Sequence, residues 1–302
     1  MRMPLIGDIA KVLEEQMLPP WDEEKVRLAF PISYDESMNT ILGQEVAKYN
    51  RLVKKVNESL GLLQLALKGL VVLSAELEKM GNTLFDQQVP ANWEAVGYPS
   101  LKPLHAWFDD FLRRTKGFIG KWIDEGIPAA YWVSGFFFPQ GFLTAILQNF
   151  ARSHKMPIDT VSFSYKFLDE EPADLYKPDA GAYTYGLFFE GARWDRDAHA
   201  ITDPRPKELF APVPVIHNVP VQFRETPQSG IYRCPIYKIL SRRGVLSTTG
   251  HSTNFVLWLE VPSSQPTIFR SSLVSETNSQ VQFCDNEHWV KGGVAAFCAL
   301  RY

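Results

Sequence analysis

Residues 37–70 read SMNTILGQEVAKYNRLVKKVNESLGLLQLALKGL, and this stretch says most about the fold. Met38, Leu42, Val46, Tyr49, Val53, Val56, Leu60, Leu63, Leu67 and Leu70 recur at spacings of three and four, the period of one apolar helix face, and Leu73, Leu77 and Met80 continue it. A stripe this regular belongs to helices packed on a core. Ser33 and Glu36 have capping-box spacing, which predicts a helix start near Asp35. Gly61, Gly69 and Gly81 each weaken a helix interior by up to about 1 kcal/mol, so two or three helices are expected rather than one rod.

Downstream, Ser100 precedes a second amphipathic stretch whose apolar face is Leu104, Trp107, Phe108, Phe111, Leu112, Phe118, Ile119, Trp122 and Ile123; Gly126 before Pro128 should end it. Residues 130–134 read as a short strand entering a helix over 139–154, with Pro139 in its first turn. Proline then changes the architecture: none lies between Ile32 and Val89, whereas twelve lie from Pro157 to Pro266. Short β-branched and aromatic runs at 160–167, 182–190, 213–221, 231–240, 254–261 and 294–300 predict an antiparallel barrel or sandwich. The polar stretch 271–286 reads as an exposed loop between two of them.

The 302 residues are 45% hydrophobic and 22% charged, enough to bury a core. The net charge of −3 leaves no general basic field, so neither nucleic acid nor an anionic membrane is expected as a partner. The longest apolar runs fall short of the ~18 residues of a membrane span, and the start lacks a signal-peptide pattern, so a soluble protein is expected. Cys234, Cys284 and Cys298 read as reduced thiols of a cytosolic protein.

Catalytic patterns are sparse. There is no GxxxxGK[ST] and no GxGxxG, so the chain is not expected to bind nucleotide by either motif. Cys284 with His288, joined by Cys234 or His251, is the best metal fragment, but no CxxC or HExxH supports it. Ser247 or Ser252 with His251 and Asp195 has the residue types of a nucleophile, base and orienting carboxylate; without a GxSxG elbow, residues 247–254 read more simply as a polar turn. Asp169, Glu170, Glu171 and Asp174 read as a solvated loop, and the scattered Trp93, Trp107, Trp122, Trp132, Trp194, Trp258 and Trp289 as core and interface packing. Arg242 and Arg243 beside Lys238 read as a hairpin tip. No catalytic, cofactor-binding or metal-binding residue is assigned.

The motifs SMNT (37–40), LKGL (67–70), YPSLKPL (98–104), WVSGFFF (132–138), QNFAR (148–152), GARWD (191–195) and LSTTGHSTNF (246–255) occur in one order from about residue 30 to the end. Together they resemble the C-terminal domain of dynein heavy chains, axonemal members above all. The resemblance implies an α+β fold, an N-terminal helical part followed by an incomplete antiparallel β-barrel. Residues 1–30 would be the tail of the preceding region of the motor, 31–156 the helical subdomain and 157–302 the barrel. It also implies a non-catalytic accessory domain packed on the AAA+ ring of the same heavy chain. ATP and magnesium would be bound elsewhere in the parent, the partners would be microtubules and other dynein subunits, and the location the cytoskeleton of a cilium or flagellum. One departure is the distance from Gln265-Pro266 to Trp289, where the family pattern passes quickly from a Gln-Pro turn to a Trp opening the last strand.

Overall fold

The computed structural model describes residues 2–222, 230–242, 253–265, 268–273 and 280–302. The protein divides into two compact units. The first comprises Met1–Ile127, Gly135–Phe138 and Arg301–Tyr302; the second comprises Pro128–Ser134 and Pro139–Leu300.

The first unit is helical: α1 (Arg2–Gln16), α2 (Glu23–Ala29), α3 (Ser37–Leu67), α4 (Ala75–Phe85), α5 (Ala91–Glu94), α6 (Leu104–Leu112) and α7 (Lys121–Glu125), with a π-helical segment, Arg113–Gly120, joining the last two. The apolar stripe becomes α3, 31 residues long, with Met38, Leu42, Val46, Tyr49, Val53, Val56, Leu60 and Leu63 buried. Its start corrects the capping-box reading: Glu36 is the N-cap and accepts from Met38 N, while Ser33 Oγ accepts from Asp35 N one turn earlier. Gly61 does not break α3, because apolar burial along the stripe outweighs its propensity cost. Gly69 (φ +74°) follows the helix end, as a left-handed C-terminal glycine does. Gly81 lies inside α4, where a Cβ would come 3.2 Å from Ile6 of α1. That glycine permits close helix packing and is not a stop signal. Ser74 caps α4 by accepting from Leu77 N, so Ser74→Ala is expected to lower stability by about 1 kcal/mol, read from urea denaturation.

The second unit opens with β1 (Ala130–Trp132) and α8 (Pro139–Ser153) and continues through β2 (Val161–Leu168), β3 (Ala182–Tyr185), β4 (Phe188–Glu190), β5 (Arg193–Asp195), β6 (Ala200–Thr202), β7 (Phe210–Pro212), β8 (Val215–Gln222), β9 (Ile231–Ile239), β10 (Phe255–Pro262), β11 (Ile268–Leu273), β12 (Gln280–Asp285), α9 (Glu287–Lys291) and β13 (Ala295–Ala299). One sheet has the order β1-β3-β8-β2 and another β10-β9-β13-β4-β7; β11-β12 and β5-β6 are two-stranded. β1 runs parallel to β3, and β13 parallel to β9. The sheets are therefore mixed rather than wholly antiparallel, and no closed barrel is found among the described residues. β13 is buried along its whole length, between β9 and β4.

Two expectations change here. The run 182–190 is two strands in different sheets, parted at Gly186 (φ +93°), where a Cβ would come 2.5 Å from Trp132 Nε1. The stretch 271–286 is no loop throughout, since β11 and β12 pair antiparallel from Ile268↔Asp285 to Leu273↔Gln280. Trp289 lies in α9, fully buried, and donates from Nε1 to Ser263 Oγ at 2.8 Å instead of opening the last strand.

Candidate functional site

Polar chemistry gathers in two places, one in each unit. In the second unit a cleft of about 370 Å³ is lined by residues from the end of β2, the β3–β4 turn, β5 and its following turn, and the β7–β8 connection. That volume suits a small ligand or a few residues of peptide. The acidic loop contributes Asp169, Glu170 and Glu171, whereas Asp174 is not in the lining. Arg193, Arg196 and Arg205 bring the opposite charge, and Leu187, Phe188, Trp194 and Val213 the apolar surface. Trp194 is stacked on Phe167 at 4.5 Å between ring centroids. Arg196 Nε stands 3.6 Å from Asp169 Oδ1, a solvent-exposed pair worth little. Glu208 accepts from Arg205 N at 2.9 Å, and Arg193 Nη2 reaches Asp195 at 3.8 Å while its Nε is buried without a hydrogen-bond partner.

In the first unit the helix α6 and the π segment bury an ion pair. Arg114 Nε donates to Asp110 Oδ2 at 2.6 Å, with the two side chains 3% and 8% exposed. Lys102 Nζ lies 3.6 Å from the other Asp110 oxygen, and the Arg114 guanidinium lies 3.8 Å above the Tyr98 ring. Beside it Glu45 of α3, 2% exposed, accepts from Phe137 N at 2.7 Å and Phe138 N at 3.1 Å, and Tyr49 donates to Gly135 O at 2.5 Å. The residues look unremarkable in sequence. Their one signal is that Glu45 and Asp110 interrupt apolar helix faces, where a charge must find partners.

The sequence-nominated residues do not converge. Asp195 caps its own turn, accepting from Asp197 N and Ala198 N, and Ser247, His251 and Ser252 lie outside the described residues. Cys234 is buried on β9 and burial pushes its thiol well up; His288 instead meets Asp203, Nε2 to Oδ1, at 2.7 Å, and Cys284 lies on β12. Among the described residues no group of three or more His, Cys, Asp or Glu could hold a metal ion. Arg242 is no free tip: it pairs with Glu190 and lies 5.3 Å over the Phe297 ring, while Arg243 is outside the described residues. Trp93, Trp107, Trp122 and Trp289 are core residues, and Trp258 is 43% exposed with Arg233 above its ring. No helix among the described residues is long and apolar enough to cross a membrane.

A family model for the C-terminal domain of dynein heavy chains matches residues 3–298. The protein belongs to that family. Dynein axonemal heavy chain 1 of Homo sapiens is 45% identical over all 302 residues, which are 7% of that protein. Dynein axonemal heavy chain 3 of Homo sapiens is 41% identical over 296 residues, covering 98% of this sequence and 7% of the relative. For dynein axonemal heavy chain 12 of Homo sapiens the figures are 38% over 296 residues, 98% and 9%. The sequence thus spans less than a tenth of the length of these curated relatives. In this dynein C-terminal domain the GARWD motif of residues 191–195 supplies Arg193 and Trp194 to the cleft, and WVSGFFF of residues 132–138 supplies the segment held by Glu45 and Tyr49.

Proposed function

We propose that the protein acts as the non-catalytic C-terminal accessory domain of an axonemal dynein heavy chain, a microtubule-based, ATP-driven motor of cilia and flagella. On this reading it packs on the AAA+ ring of its own heavy chain and tunes motility, with ATP and magnesium bound elsewhere in the parent. The observation that carries this reading is the end-to-end match to the family and its axonemal members. Exposed apolar side chains give it a physical basis: Leu62, Leu65, Leu70 and Val72, at the end of α3 and just beyond, are 40–88% exposed. Such a patch is costly in water and gains from a partner. A bound domain shifts a motor's conformational equilibrium only through contacts that differ between its states, so the effect of this one should be on coupling and stepping.

The test is steady-state ATPase and ATP binding of the 302-residue protein, beside the whole motor with and without it. The expected result is no binding or turnover by the isolated domain and altered velocity or run length on its deletion. ATP hydrolysis by the isolated domain, or an indifferent motor, overturns the reading. The mixed-charge cleft favours a second reading, an independent ligand- or partner-binding module. For that reading, ligand-dependent thermal stabilisation of the domain, lost on Trp194→Ala, is the expected result.

A further inference from the structure

We propose, resting on the reading of the cleft as a partner-binding site, that it takes an extended peptide segment of a partner protein in which basic and acidic residues alternate. The cleft lies wholly in the second unit, whereas the exposed apolar patch at the end of α3 lies in the first, so the two are separate surfaces. Two stretches of sequence give it opposite charges. The loop after β2 brings Asp169, Glu170 and Glu171, and the stretch from β5 to the β6–β7 connection brings Arg193, Arg196 and Arg205. The two sets meet at Arg196 and Asp169, 3.6 Å apart. Elsewhere they stay unmatched: Glu170, Glu171 and Arg205 are exposed, and among the described residues their side chains have no ion partner. Arg193 reaches only Asp195, at 3.8 Å. Glu208, the one acid on the guanidinium side, is engaged by Arg205 N at 2.9 Å.

An occupant that answers both sets must itself carry both charges. A uniformly basic segment meets Arg193 and Arg205, a uniformly acidic one meets Glu170 and Glu171, and like charges brought together count against the wrong partner. Alternation follows from strand geometry: successive side chains of an extended chain point to opposite sides, so alternating lysine and glutamate send every cation one way and every anion the other. The stems of such side chains lie along apolar surface while their charged heads stay in water, which suits the lining by Leu187, Phe188 and Val213. A volume of about 370 Å³ is more than one free amino acid fills. Each exposed ion pair is worth little, so the contact is weak and its selectivity comes from the sum of several pairs.

The test is a ¹H–¹⁵N titration of the whole 302-residue protein at low salt, following the indole N–H of Trp194, which lines the cleft and is stacked on Phe167. The probes are blocked hexapeptides: alternating lysine and glutamate, the same composition in two blocks, all lysine, and all glutamate. The alternating peptide is expected to shift the Trp194 resonance and to bind at least about fivefold more tightly than the other three, the worth of one further ion pair. Glu170→Lys with Glu171→Lys, at exposed loop positions that leave the fold intact, should turn the preference to the all-glutamate peptide, and Arg205→Glu should turn it to the all-lysine one. Equal affinity for the alternating and block peptides, or a preference that both charge reversals leave unchanged, overturns the proposal while the cleft remains a binding site. No shift of Trp194 with any of the four peptides overturns the partner-binding reading of the cleft, and the proposal with it.

Discussion

Arg114→Met is expected to destabilise the helical unit by about 3–5 kcal/mol, the cost of leaving a buried charge without its partner. Asp110 is 8% exposed and loses the 2.6 Å bond from Arg114, which leaves it Lys102, at 3.6 Å, and the hydroxyl of Tyr98. The Tyr98 ring also loses the cation that covers it. Replacing both members, Asp110→Leu with Arg114→Met, should recover much of the loss, because the pair's Coulomb attraction is offset by the desolvation of both ions. Urea denaturation of the two variants measures this. A single-variant loss under about 1 kcal/mol would mean that Lys102 alone neutralises Asp110.

Gly181→Ala is expected to cost the sheet unit at least about 3 kcal/mol, joining strain at positive φ to a steric collision. Gly181 has φ +78°, and a Cβ there would sit inside the carbonyl oxygen of Asn218 and 2.9 Å from Pro220 Cδ. The neighbour cannot yield cheaply. Asn218 pairs with Ala182 across β8 and β3, and its side-chain amide donates to Ala182 O, Thr184 Oγ1 and Ile216 O. Gly69→Ala is the internal control: its φ of +74° is similar, yet nothing lies within 4 Å of its Cβ position, so only the backbone cost of about 1 kcal/mol is expected. Thermal melts of the two variants should separate the terms, and equal losses would remove the steric argument.

The helical half was largely legible because its signal is local. The three-and-four spacing of Met38 to Leu63 maps onto the buried face of α3, and Gly126, at φ +91°, ends the rod that begins at Leu104. Glycine was the weakest guide. Gly81 has a packing reason that depends on Ile6, 75 positions away in the sequence. The strands at 161–168, 215–222, 231–239, 255–262 and 295–299 were legible too, but their partners were not. Nothing local tells β13 to run parallel to β9 or splits 182–190 between two sheets. The three-residue β5, β6 and β7 carry too few residues to show a period. Of the polar sites, the acidic loop was visible as charge, whereas its meeting with Arg193, Arg196 and Arg205 is a product of tertiary structure. Asp110 and Arg114 have the spacing of an ordinary surface pair, and only the place of Asp110 on the apolar face of α6 hints that they are buried.

The interleaved boundary of the two units bears on how this domain can be dissected. No single cut separates them, because Gly135–Phe138 completes the helical unit from within the sequence of the other. A gene fragment ending at Ile127 would leave two carboxylate oxygens of Glu45, the hydroxyl of Tyr49 and the faces of Phe118 and Trp122 without the groups that fill them. A swap of helical halves between related heavy chains would have to carry these four residues along, as a second, non-contiguous graft. The heritable unit of exchange is accordingly the whole domain.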